Sequence, residues 1–359
     1  MAVEIKIWML IFALLVVSNM QLHVHGEPQV PCFFIFGDSL ADNGNNNLLP
    51  TKARANYPPY GIDFPNGPTG RFTNGRTTVD IIAELLGFDK HIPPFANTNG
   101  FDILKGVNYA SASAGILEET GKNLGTCISL NGQLKNHHVT VLGIERKLGG
   151  HDSAINHLKQ CLYTVGMGGN DYINNYFMPR KYLSSRHYDP EQYAEVLIKQ
   201  YSLQLRALYN DGARKFALSG LGLIGCLPYS MNLYGTNGSA CVNNMNTAAQ
   251  SFNKKLISLV DYLNKELTDA KFIYLNTYGM VSGDPKVVGF TVINVGCCTV
   301  GDIGQCKPSE TPCNNRNVYA FWDSFHPTEA LNKITASRSY QNFLPTDTYP
   351  IDISHLVKP

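Results

Sequence analysis

The 359-residue chain carries 29 Lys and Arg against 28 Asp and Glu, with 44% hydrophobic and 16% charged residues. This balance excludes a disordered chain and leaves no net field, nor any basic run interleaved with aromatics, to attract a nucleic acid. A small or neutral substrate suits it better.

At the start, residues 7–17 form an almost unbroken apolar run. It has the size of a signal-peptide core and falls well short of the ~20 residues that a membrane span needs. Val24 and Gly26 meet the small-residue rule for cleavage. Residues 1–26 are therefore expected to be a signal peptide and residues 27–359 a single domain, undivided by any repeat or low-complexity linker. The expected location is extracellular, with no transmembrane segment. All nine cysteines lie beyond Gly26, which in an oxidising compartment implies disulfides and, nine being odd, at least one unpaired thiol.

"CFFIF" (32–36) is the first of four short β-like runs and leads straight into Gly37, Asp38 and Ser39, then into an asparagine-rich stretch that cannot continue a sheet. In "TVDIIAELLG", Thr78 is placed to cap a helix and Gly87 to end it. His137 and His138 fall in a polar helix-like stretch and, like His151 and His157, read as surface residues. The second run, "CLYTV" (161–165), is followed by "GMGGNDY", which sets Asn170 on a glycine turn. Tyr193, Leu197, Tyr201, Leu205 and Leu208 mark one apolar helix face, and Met245, Ala249, Phe252, Leu256, Leu259 and Leu263 another. "KFALS" (215–219) and "KFIYL" (271–275) complete the strands. The alternation predicts an α/β fold: a three-layer α/β/α sandwich, flavodoxin-like, with a mainly parallel central sheet and ligands bound beyond the carboxyl ends of its strands.

Two loops hold most of the cysteines. Cys226 and Cys241 flank one, while Cys297, Cys298, Cys306 and Cys313 crowd the other, so local bridges are expected with their pairing open. Zinc in the second loop is disfavoured because no C-x-x-C occurs there. Neither metal nor cofactor is expected. Asn237 begins "NGS", the one N-x-[ST] sequon, and is a candidate glycan acceptor.

Ser39 alone would be an ordinary turn residue. A serine becomes nucleophilic when an imidazole within hydrogen-bond reach takes its proton and a carboxylate orients that imidazole. "FWDSFHPTEA" supplies both, with Asp323 and His326 three residues apart on a turn tight enough for the carboxylate to reach the ring, and Pro327 at the first position of a final helix. Acyl transfer also needs donors for the developing oxyanion, and the Asn170 amide is a candidate. "GLGLIG" (220–225) matches a dinucleotide-binding pattern, but Cys226 and Pro228 interrupt the receiving helix and no acidic residue follows before Asp261. The G-x-S-x-G of a standard α/β-hydrolase is absent from the sequence.

Together, "FGDSLADNGNNN" (36–47), "GVNYASASAGIL" (106–117), "GMGGND" (166–171) and "DSFHP" (323–327) resemble, in order and spacing, the blocks of the plant branch of the GDSL esterase/lipase family, within the Ser-Gly-Asn-His hydrolase superfamily. Residues 58–87 and 220–228 are also similar to that branch, so the resemblance spans nearly all of the mature chain. It implies a secreted serine esterase or lipase of the apoplast or cell wall, acting on a small-molecule, lipid or polysaccharide ester through an acyl-enzyme. Ser39 would be the nucleophile, His326 the base and Asp323 its orienter. The oxyanion hole would combine the Ser39 amide, the Asn170 side chain and the backbone N–H of Ser113, which stands where the family has a glycine. The alternatives are a secreted, catalytically impaired binding or defence protein on the same fold, and an acyltransferase using the same triad.

Overall fold

Each apolar run forms a strand in the computed structural model, which describes residues 27–98 and 100–358; the expected signal peptide lies outside the described residues. The strands are β1 (Phe33–Gly37), β2 (Leu162–Gly166), β3 (Lys215–Ser219), β4 (Lys271–Leu275), β5 (Val292–Gly296), β6 (Tyr319–Phe321) and β7 (Thr348–Tyr349). The first four pair in parallel in that order, and β7 closes the β4 edge antiparallel. On the other side of β1, residues 107–111 lie alongside it. Ile35 N–H donates to Val107 O at 3.1 Å, and Tyr109 N–H to Ile35 O at 2.8 Å. The chain thus leaves β1 toward one edge and returns to β2 on the opposite side. This reversal opens a crevice at the carboxyl end of β1, where Ser39 stands.

Strand side chains alternate between two buried faces, which is why these runs are apolar throughout rather than every second residue. Phe34, Phe36, Tyr163, Val165, Phe216, Leu218, Phe272 and Tyr274 face one core, shared with α2 (Leu130–Leu148), α3 (His151–Leu158), α4 (Pro190–Asn210) and α5 (Asn243–Glu266). Phe33, Ile35, Leu162, Ala217, Ile273 and Leu275 face a second, shared with α1 (Thr78–Leu85) and α6 (Glu329–Tyr340). The expected α/β/α sandwich is the observed architecture. Among the described residues no helix is long and apolar enough to cross a membrane.

Four local expectations are corrected or completed by the packing. Thr77, not Thr78, caps α1, because its hydroxyl and Asp80 form a capping box and Asp80 is fixed there by buried Arg71 at 2.7 Å. Gly87, at φ +90°, sits one residue past the C-cap. Pro327 precedes the N-cap Thr328 instead of opening α6, since Thr328 N–H still pairs with Ala320 O at 3.0 Å. His137 is fully buried rather than superficial, edge-on to Phe34 and Tyr163 with Nδ1 3.2 Å from Tyr109 Oη. Burial pulls its pKa down to about 3.

Local bridges join Cys226 to Cys241, Cys297 to Cys313 and Cys298 to Cys306. A fourth, Cys32–Cys161, spans 129 residues and was not foreseen. Its pairing follows from register: Phe33 lies opposite Leu162, so the residues just ahead of β1 and β2 meet. Cys127 is free and buried.

Candidate active site

Backbone and side-chain contacts fix the turn that carries Ser39. Gly37 is held at both backbone atoms by the buried Gln133 side chain, at 3.0 Å and 2.8 Å. An added Cβ there would meet Gly166 O at 3.2 Å and Ala41 at 3.3 Å, so the strand end tolerates only glycine comfortably. Asp38 then closes the turn: its Oδ1 accepts Leu40 N–H at 3.0 Å and its carbonyl accepts Ala41 and Asp42 N–H. Ser39 is left half-buried at the tip. Among the described residues no acceptor takes its backbone N–H.

The asparagine-rich stretch has its own task. Asn45 Nδ2 donates to Asn108 O and Ala110 O, and Asn46 Nδ2 to Ala53 O and Ala112 O. Asn108 Nδ2 returns to Ala41 O at 2.7 Å, and buried Asp42 accepts Ala112 N–H at 3.0 Å. Side-chain amides thus satisfy buried backbone groups that no strand partner reaches. The loop after residue 107 is thereby welded to the loop after β1. Asp42 is pushed up to about 6 by burial, against four backbone donors.

Ser113, on that welded loop, has φ +64° and is 3% exposed. This is the left-handed region that suits glycine and strains a residue with a Cβ. The next residue, Ala114, offers its carbonyl to Asn170 Nδ2 at 3.0 Å, which brings the third loop alongside. Asn170 follows Gly168, at φ +119°, and its Oδ1 accepts from Asn174 at 2.8 Å. Its amide also faces Asp38 Oδ2 at 3.4 Å. Burial raises Asp38 to about 6, an effect opposed by the Leu40 N–H and by His326. Below Asn170, Asp171 accepts from Ile116, Leu117 and Thr120, tying the loops together once more, and burial lifts it to about 7.

His326 reaches this edge from a different lobe. Residues 320–328 fold as a hairpin off β6, with Trp322 N–H on His326 O at 2.7 Å. At its tip, Asp323 Oδ1 accepts the backbone N–H of Phe325 and of His326, each at 2.8 Å. The same carboxylate lies 2.7 Å from His326 Nδ1 through Oδ2. His326 Nε2 is 2.8 Å from Ser39 Oγ. Asp323 is fully buried and His326 is 6% exposed, its ring against Phe72 at 4.8 Å between centroids. A contact Ser–His–Asp chain of this kind lets imidazole remove the hydroxyl proton as oxygen attacks a carbon centre. The expected Ser39, Asp323 and His326 are brought together, while Asn170 is tied to the Ser113 loop through Ala114 O and to the Ser39 turn through Asp38.

Tyr60 was not foreseen. Its hydroxyl donates to Asp323 Oδ2 at 2.7 Å from a loop 263 residues away, a contact that no local sequence signal marks. Asn237, the candidate glycan acceptor, lies in the loop closed by Cys226–Cys241, at φ +49°. One group of metal-ligand types occurs among the described residues, Cys32, His157 and Cys161, and its sulfurs are already joined.

Known proteins resemble this chain over most of its length. The family model described as "GDSL-like Lipase/Acylhydrolase" matches residues 33–339. Three Arabidopsis thaliana proteins, each named "GDSL esterase/lipase", are similar over nearly their full length. One is 54% identical over 357 residues and another 52% over 357, each alignment covering 98% of both chains. A third is 50% identical over 361 residues, covering 99% of both.

Proposed function

The chain belongs to the GDSL-like lipase/acylhydrolase family and is a carboxylic ester hydrolase, and from that premise we propose that it works as a serine esterase through an acyl-enzyme on Ser39. His326 Nε2 takes the Ser39 proton as Oγ bonds to the ester carbonyl carbon. Asp323 holds the ring in the Nδ1–H tautomer and stabilises the imidazolium. The carbonyl oxygen becomes negative and is met by the N–H groups of Ser39 and Ser113 and the amide of Asn170. Collapse expels the alcohol, which takes the proton from His326. Water, activated by the same nitrogen, then attacks the acyl carbon and releases the acid and free Ser39. No step draws on a metal or a cofactor.

The observation that carries this reading is the unbroken contact from Ser39 Oγ to His326 Nε2, 2.8 Å, and from Nδ1 to Asp323, 2.7 Å. We further propose that residues 27–359 act as one secreted domain with Asn237 as glycan acceptor. Support comes from the apolar segment at residues 7–17 and from the four disulfides. The test is labelling with an alkyl phosphonate, whose phosphorus is attacked only by an activated nucleophile. Peptide mapping is expected to place one adduct on Ser39. An adduct elsewhere, or none on folded protein, overturns the assignment.

A further inference from the structure

The Asp323 carboxylate is held by more than its own hairpin. Tyr60 Oη donates to Oδ2 at 2.7 Å and itself accepts the Cys306 N–H at 3.1 Å. Cys306 is bridged to Cys298, whose N–H pairs with Trp322 O at 2.9 Å, one residue before Asp323. Asp323, Tyr60, Cys306, Cys298 and Trp322 therefore close a ring, part covalent and part hydrogen-bonded. Tyr60 is fully buried, and Tyr57 fastens the ring from outside by donating to Cys306 O at 3.0 Å.

We propose that Tyr60 is a positioning residue for ester hydrolysis, fixing the rotamer of Asp323 and setting how much of its charge is presented to His326. The inference rests on the triad reading above. A carboxylate divides its electron density among its donors, so a strong O–H bond on Oδ2 withdraws charge from the imidazole that shares that oxygen. Burial, and next the charge of Asp323, drive the Tyr60 phenol well above its ordinary value, which keeps it a donor. The other ionisable groups facing this assembly are Asp38, near His326, Tyr57 beside Tyr60, and Arg54 near Tyr57. Among the described residues none of these three donates to Asp323.

Two perturbations act on the hydroxyl in opposite senses. Tyr60→Phe deletes the donor, freeing charge on Asp323 and loosening its rotamer. It is expected to lower kcat about tenfold with little change in KM, and to move the pH midpoint of kcat/KM upward, since the imidazolium is then better stabilised. Installing 3-fluorotyrosine at position 60 leaves the packing intact and makes the phenol a stronger donor, so the midpoint is expected to move down. Circular dichroism gates the first variant; should it misfold, the fluorinated protein decides alone. Midpoints that stay put in the folded proteins overturn the proposal, even if kcat falls, because a purely structural role lowers rate without shifting the titration. Ser39→Ala, run in parallel, separates the two readings. If it stays active, the triad assignment fails; if it is dead while the position-60 proteins match wild type, only the role of Tyr60 fails.

Discussion

The two halves of the cleft are built by different means. Ser39, Asn170 and Ser113 sit on loops that follow β1, β2 and the segment 107–111 beside β1, at one end of a sheet buried on both faces, and those loops are cross-tied by buried amides and carboxylates. Asp323 and His326 come from a lobe built on the two-stranded β5–β6 sheet. Along β5, Ile293 and Val295 are 43% and 51% exposed. The small core of this lobe, around Tyr60, Phe72 and Trp322, is stapled by Cys297–Cys313 and Cys298–Cys306. Ser39 borrows its rigidity from the main core. His326, delivered from outside that core, needs covalent and hydrogen-bonded staples to hold a contact of 2.8 Å.

The comparison is sharpest when chemistry is removed from one half at a time. Asp323→Asn keeps the hairpin but presents the wrong partner to Nδ1, and is expected to lower kcat by roughly 10⁴. Asn170→Ala, on the opposite half, is expected to fall by about 10² to 10³, with both folds intact by circular dichroism. Near-equal losses would show that the halves do not divide the work as drawn.

Acid acts on the serine half through buried groups of opposite sign. Because the pKa of His137 is lowered from 6.5 to about 3, the unfolded chain binds a proton that the native one refuses, and stability falls as pH drops through that window. Asp38, Asp42 and Asp171, lifted to about 6, 6 and 7, have the opposite sign: their contributions are present below 3.8 and lost as pH rises through those values. Comparing wild type with His137→Leu cancels the three carboxylates. The variant is expected to gain on wild type as pH falls from 6.5 to 3, by on the order of 4 kcal/mol at the end of the range, read from urea midpoints. A stability difference that ignores pH would contradict it.

Removing a staple should loosen the base half alone. Replacing both Cys298 and Cys306 by serine opens a loop of 8 residues, which a chain-entropy model values at roughly 2.5 kcal/mol. Ester hydrolysis is expected to melt out at a lower temperature than the far-ultraviolet signal of the sheet, whereas in wild type the two coincide. The smallest effect belongs to Ser113→Gly. Glycine relieves its left-handed strain while retaining the N–H, so Ser113→Gly is expected to stabilise by roughly 0.5 to 1 kcal/mol with turnover kept or improved. Ser113→Pro demands a negative φ where the chain has +64°, and should lose both fold and activity.

Much of this protein was legible without coordinates. Runs such as "KFALS" and "KFIYL" specify strands buried on two faces, and the stepped apolar positions of α4 and α5 specify helices packed on one, because side-chain period and hydrophobic burial are local properties of the chain. The pairing of Asp323 with His326 was equally local, since three residues of turn bring carboxylate to ring. What the tertiary structure alone decided were contacts between segments distant in sequence. They are the Cys32–Cys161 bridge, the burial of His137 among aromatics from three segments, the amides of Asn45 and Asn46 on the backbone of residues 108–112, and the hydroxyl of Tyr60 on Asp323. Such contacts exist only once strand order has placed the loops side by side. A polar side chain carries no mark of which distant backbone it will satisfy, because the demand for its hydrogen bonds arises only when folding removes water from both partners.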